Sequence, residues 1–148
     1  RNGWYTENYT GSAKSAIGAG AFIGNAGEGK ISSAARAGFA EAAAVVLAGK
    51  GHEGKTYELA GDQAYTLAEL AAEISSQSGK TIPYNNLTET QYADILKSFG
   101  LPGGLAEMLA NSDTGASKGG LFDDSHTLST LIGRPTTPLA KMVADAIA

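Results

Sequence analysis

Two helix starts of the same design constrain this chain more than any other feature: Thr66-Leu-Ala-Glu69 and Thr88-Glu-Thr-Gln91. In each, a threonine hydroxyl can accept the backbone N–H three residues on, while the Glu or Gln side chain reaches back to the threonine N–H. After the first start, Leu67, Leu70, Ala71 and Ile74 recur at the spacing of one buried helical face, and Gly79 supplies the stop. After the second, Tyr92, Ile95, Leu96 and Phe99 repeat the pattern, ended by Gly100. Short β-prone stretches, "KTYELAG" at 55–61 and "TIPYNNL" at 81–87, bracket the first helix, with Tyr57 and Leu59 on one side. A β-α-β order of this kind makes the class mixed α/β.

The rest of the chain fits that class, and its 148 residues suit one domain. Phe39, Ala43, Val46 and Leu47 mark a helix closed by the glycines of "AGKGHEG". Asp124 is placed to cap a short helix carrying Leu128, Leu131 and Ile132. Thr137 and Pro138 read as N-cap and first residue of a last helix with Leu139, Met142, Val143 and Ile147. "AFI" at 21–23 and "KIS" at 30–32 read as short strands, and residues 111–125, rich in Gly, Ser and Asp, as the longest loop.

Between those two short strands lies "GNAGEGKI", Gly24 to Ile31, close to a phosphate-binding loop. Gly24, Gly29 and Lys30 have the spacing of G-x-x-x-x-G-K-[ST], but Ile31 replaces the hydroxyl that ligates magnesium. No long buried strand precedes it. The glycines and Asn25 instead predict a hairpin turn, with Lys30 a solvated charge.

Charge and composition exclude several functions. A net charge of −4 without Lys/Arg clusters argues against a nucleic-acid or anionic-membrane surface. No apolar run approaches the roughly 18 residues of a membrane span. With no cysteine, thiol nucleophiles, disulfides and Cys-ligated zinc are ruled out. There is no G-x-S-x-G, and no G-x-G-x-x-G opening a helix after a strand. None of the six tyrosines has a lysine four residues on, so the Y-x-x-x-K of short-chain dehydrogenases is missing. His52 and His126 sit in loop-like sequence, and Asp123, Asp124 and His126 are too closely consecutive to converge on a metal unaided.

The opening "RNGWYTENY" stands out. It has no initiator Met, which suggests a piece of a longer protein. Trp4, Tyr5 and Tyr9 lie among Asn2, Glu7 and Asn8, offering stacking surfaces and amides to a planar ligand, but composition alone favours their anchoring a strand-to-helix corner of the core.

"RNGWYTENY", "GEGKISSAARAGFAEAAA", "GHEGKTYELAGDQAYTLAELA" and "ASKGGLFDDSHTLSTLIGRPTTPL" together resemble the C-terminal half of the NmrA-like atypical short-chain dehydrogenases. The resemblance runs across essentially the whole chain. It implies an α/β fold: the C-terminal part of an NAD(P)-binding Rossmann-type NmrA-like fold, with mixed short strands and helices. Residues 1–148 would be the C-terminal substrate-binding region, namely the end of a late Rossmann strand plus a small α/β lobe. The N-terminal dinucleotide-binding half would be absent from the chain. The implied activity of the whole protein is hydride transfer from NADPH (NADH being a second candidate) to a quinone, with no metal; the alternative is a redox sensor that binds NAD(P) without turnover. By resemblance, Gly3, Trp4, Tyr5, Thr6, Glu7 and Asn8 line the cleft at the nicotinamide, and no catalytic residue is assigned. The implied partners are the quinone and either the missing half or a second copy, in a cytoplasmic protein, and the chain by itself is expected to be inactive. One departure stands out: the family's R-x-D-[YFI]-A is Arg36-Ala37-Gly38-Phe39-Ala40 here. Loss of the acid predicts an unpaired Arg36 and a weakened helix start.

Overall fold

A computed structural model describes all 148 residues. In chain order the elements are α1 (Glu7–Thr10), α2 (Ala13–Ala19), β1 (Phe22–Gly24), α3 (Arg36–Ala48), α4 (Leu67–Ser78), β2 (Tyr84–Asn86), α5 (Glu89–Ser98), α6 (Gly103–Ser117), α7 (Thr127–Ile132) and α8 (Leu139–Ile147). The class is the expected mixed α/β, but far richer in helix than in sheet.

The main core gathers around α4. Leu67, Leu70 and Ile74 are fully buried against Phe22 of β1, Ala13 and Ala16 of α2, Ile31, and Val143 of α8. Both capping boxes form: Thr66 Oγ1 accepts the Glu69 N–H at 3.1 Å and Glu69 accepts the Thr66 N–H at 2.7 Å, with the same exchange between Thr88 and Gln91. A smaller cluster of Ala34, Phe39, Ala42 and Leu128 joins α3 to α7. The third unit is the α5–α6 hairpin, whose buried residues are mostly alanines: Ala93, Ala106, Ala110 and Ala116.

Several expectations are corrected. "AFI" and "KIS" do not form a hairpin. β1 pairs in parallel with β2, Phe22 opposite Tyr84, whereas Ile31 makes a single antiparallel bridge to Tyr65. The cause is Asn25: its N–H donates to Asp113 Oδ2 at 3.0 Å and its amide to the Ala110 carbonyl at 3.0 Å, turning the chain onto α6 instead of back along β1. Gly29 lies so close to the Ala116 carbonyl that any Cβ there would collide with it. The near-phosphate loop is therefore a packed connection, and Lys30 is exposed.

The stretch expected as the long loop is in its first half α6. Its hydroxyls return to helix carbonyls: Ser112 Oγ to Met108, Thr114 Oγ1 to Ala110 and Ser117 Oγ to Thr114. Such bonds satisfy residues with little helix preference, and burial of Ala110, Asp113 and Ala116 decides the outcome. "KTYELAG" is not a strand but an extended segment with one parallel bridge, Leu59 to Asn2. On α3 the buried residues are Gly38, Phe39 and Ala42, while Ala43 is exposed and Leu47 is 86% exposed. Asp124 does not cap α7; the cap position is His126, in the left-handed region at φ 54°, and α8 starts one residue later than predicted, after Pro138.

Candidate functional site

The first residues run extended between two segments. Gly3 donates to the Leu59 carbonyl at 2.8 Å, and Thr6 donates to that of Ala34 at 3.0 Å. A Cβ on Gly3 would sit 2.8 Å from the Leu59 oxygen, so this close pairing requires glycine. Pairing on both sides holds residues 3–6 rigidly, and the side chains alternate from there.

Three of the six residues assigned by resemblance turn inward. Tyr5 packs on Phe39 at 5.3 Å between ring centres, with the Arg36 guanidinium 5.2 Å from its ring. That cation–π contact is the partner Arg36 finds in place of an acid. Thr6 Oγ1 is 2.8 Å from Ser33 Oγ, itself 2.5 Å from the Tyr65 hydroxyl, in a buried chain; burial pushes Tyr65 up to about 12. Both oxygens of Glu7 accept the Arg36 N–H, at 2.9 and 3.1 Å. Glu7 thus caps α3 across the chain, which corrects the expected weak start of that helix: the carboxylate comes from another segment.

The other three face clefts. Gly3 and Trp4 line a depression of about 320 Å³ together with Asn2, Ser32 and Glu58. Trp4 and the exposed Asn8 also line a larger groove of about 560 Å³ between α1–α2 and the α5–α6 hairpin. Its walls include Tyr9, Phe22, Tyr92, Ile95, Leu96 and Phe99. Trp4 is the wall shared by both spaces, its ring tilted against that of Tyr9 at 6.3 Å. The indole Nε1–H is buried without an acceptor in the chain. An orphaned donor beside a flat aromatic, an exposed carboxamide and accessible backbone fits the amide-bearing ring of a nicotinamide.

One carboxylate lines the groove, Asp113, which the sequence analysis does not single out. Asp113, on the buried face of α6, accepts from the Tyr9 hydroxyl at 2.8 Å through Oδ1 and from the Asn25 N–H through Oδ2. Burial raises its pKa above the ordinary range, opposed by these two hydrogen bonds. Tyr9 is pushed up strongly, by burial first and then by the negative charge of Asp113. The only available signal was the spacing Ala106, Ala110, Asp113, which puts an acid on an apolar helical face. The acids of "DDSHT" separate: Asp123 accepts from Ser125, while His126 Nδ1 lies 2.9 Å from Asp62 Oδ1.

The fold, with its aromatic corner between two clefts, closely matches solved structures of an NADPH-dependent quinone oxidoreductase and of a triphenylmethane reductase. No family model matches the chain. Quinone oxidoreductase 2 of Escherichia coli K12 is 65% identical over 144 residues, which is 97% of this chain and 50% of that protein. Its crystal structure as an NADPH-dependent enzyme complexed with NADPH superimposes with a TM-score of 0.97 at 63% identity, covering 100% of this chain and 52% of that one. Citrobacter sp. triphenylmethane reductase complexed with NADP(H) matches with a TM-score of 0.93 at 35% identity, over 99% of this chain and 51% of the other. The chain is thus a homologue of quinone oxidoreductase 2 and spans about half the length of the relatives it matches. No helix is long and apolar enough to cross a membrane.

Proposed function

We propose that this chain is the C-terminal, acceptor-side half of an NAD(P)H-dependent quinone oxidoreductase, completed by a dinucleotide-binding half. The observation that carries this reading is the open groove ending on Trp4 and Asn8, in a chain 63% identical to an NADPH-complexed quinone oxidoreductase. A redox sensor without turnover has no need of an apolar acceptor space, and the groove between α1–α2 and the α5–α6 hairpin supports the reading with turnover.

Bound NADPH supplies the hydride. Gly3, Trp4 and Asn8 face that cofactor, while Tyr5, Thr6 and Glu7 act beneath them by fixing the corner to α3 and to Tyr65. The apolar walls exclude water and stack a flat acceptor, so the chain's contribution is orientation and a dry surrounding. No Y-x-x-x-K relay is required to polarise a quinone, which is already electron-poor. The likeness to a triphenylmethane reductase supports an acceptor range that extends to bulky aromatic dyes.

The test is to mix the polypeptide, with its dinucleotide-binding half present, with NADPH and 1,4-benzoquinone and follow cofactor absorbance. Acceptor-dependent oxidation is expected. No oxidation above background would contradict the reading.

A further inference from the structure

Apart from Asp113, the polar lining of the groove is a few hydroxyls, the Trp4 indole and the Asn8 amide, and no lysine, arginine or histidine lines it. Asp113 is 2% exposed, so its ionised form has little solvation beyond Tyr9 and the Asn25 N–H. The other titratable groups facing it are Tyr84 from β2 and Tyr92 from α5, both raised by burial and by the charge of Asp113, Tyr84 to about 12. A phenol so hard to ionise is a poor free acid. It becomes a good one if a proton arrives from behind as its own leaves.

We propose that Tyr9 and Asp113 form a two-step proton relay that delivers the second hydrogen of the acceptor, with Tyr9 as the catalytic acid and Asp113 as the residue that recharges it. The inference rests on the oxidoreductase reading above. The balance is as follows. The quinone gains a hydride, hence two electrons, and becomes a hydroquinone monoanion. With the carboxyl protonated on Oδ1, the Tyr9–Asp113 hydrogen bond runs the other way, Asp113 donating to the Tyr9 oxygen and the Tyr9 O–H turning to the acceptor. That O–H bond breaks as the new O–H forms on the anion, and the Asp113 proton passes to the Tyr9 oxygen. Asp113, left ionised, takes a proton from water once the product vacates the groove. The sum is NADPH + quinone + H⁺ giving NADP⁺ + hydroquinone. Because the protonated carboxyl is the competent form, and burial raises its pKa, turnover persists to higher pH than an ordinary carboxylate would allow and falls as pH rises through that pKa.

The geometry has a purely structural competitor: Asp113 ties α6 to α1 and to the loop after β1. Two acceptors separate the roles. A quinone needs a proton after hydride transfer, whereas a cationic triarylmethane dye becomes neutral on receiving hydride and needs none. A packing defect slows both alike.

The experiment uses the polypeptide with its cofactor half, as wild type, Asp113→Asn and Tyr9→Phe, with unfolding temperatures checking that all three fold. Quinone kcat is expected to fall about 10²-fold in each variant, and at least tenfold further than the rate with the dye. The fall of kcat with rising pH expected of wild type should vanish in Asp113→Asn. Independently of turnover, infrared spectroscopy of wild type carrying ¹³C-labelled aspartate should show a protonated-carboxyl band that titrates away on raising pH and is missing from Asp113→Asn. An unchanged quinone pH profile in Asp113→Asn, equal losses with both acceptors, or no such infrared band would overturn the relay. Where the dye is not reduced, the pH profile and the infrared band decide. Wild type inert toward quinone would overturn the oxidoreductase reading and the relay with it; wild type active with an unaffected variant would overturn the relay alone.

Discussion

Helices α4 and α5 begin with the same capping box and carry the same apolar spacing, yet they serve opposite ends. On α4 the apolar face is sealed: Leu67, Leu70 and Ile74 have no exposure. On α5 the equivalent face stays open: Tyr92, Ile95 and Leu96 are half-buried and Phe99 is 70% exposed. What differs is the partner. α4 packs against α2, α8 and the β1–β2 pair, whereas α5 packs chiefly against α6, whose contribution is alanine. Small side chains bring the two helices together without covering the large ones, which therefore stay open along the groove. Amphipathic spacing therefore identifies a face that avoids water, not what covers it.

The comparison breaks most readily in the α4 core. Leu70→Ala or Ile74→Ala should cost about 2–5 kcal/mol, the range for deleting a fully buried aliphatic chain, read by denaturant or thermal unfolding. Phe99→Ala should cost well under about 1 kcal/mol, as surface substitutions do, while weakening quinone binding. Equal losses at the two sites would place Phe99 in the core after all.

A smaller loss is expected at Asp113. Asp113→Ala leaves the Tyr9 hydroxyl and the Asn25 N–H without their partner, costing about 1–3 kcal/mol for the buried unsatisfied groups. Asp113→Asn should lose less, because its amide can still accept from one of them. A stability ranking of Ala above Asn would contradict the hydrogen-bond account.

The caps sharpen the comparison further. Thr66→Ala and Thr88→Ala each remove a reciprocal box, worth typically about 1 kcal/mol. In α4 the loss should lower the global unfolding temperature. In α5 it should show mainly as faster hydrogen exchange in the hairpin, with a smaller global shift.

The smallest effect is a pH dependence at Asp62. Burial opposes its ionisation, but hydrogen bonds from Ser129, Thr136 and His126 outweigh it and hold the carboxyl below the usual carboxylate range. A lowered folded pKa gives stability that is fully present above the unfolded pKa of about 4 and is lost as pH falls through the folded value. Thermal unfolding should therefore show less acid sensitivity in Asp62→Asn than in wild type. An identical acid limb would mean that the Asp62 hub, which ties α7 to the chain before α8, contributes nothing through its charge.

Legibility followed locality. Both capping boxes, the α4 face and the αL glycines at 79 and 100 were readable because each involves residues a few positions apart. β1 was readable as extended but not its partner, since pairing with Tyr84 rather than Lys30–Ser32 depends on Asn25 reaching across to α6. α6 was missed for the same reason: its Gly, Ser and Asp content argues against helix, and only burial against Asn25 and Tyr9 reverses that. The aromatic corner was visible as a cluster, but its division was not. Nothing local says that Tyr5, Thr6 and Glu7 turn toward Phe39, Ser33 and Arg36 while Gly3, Trp4 and Asn8 face the clefts.

The account stands or falls on α5 being a wall for the acceptor and not a poorly packed piece of core. The most direct test places a charge there: Leu96→Arg in the polypeptide with its cofactor half, measured for NADPH affinity, unfolding temperature and KM toward 2-methyl-1,4-naphthoquinone. The expected result is a KM raised at least about tenfold, the effect of losing a little over 1 kcal/mol of binding, with the other two quantities nearly unchanged. An unaltered KM, or a collapse of stability that takes NADPH binding with it, would contradict the account.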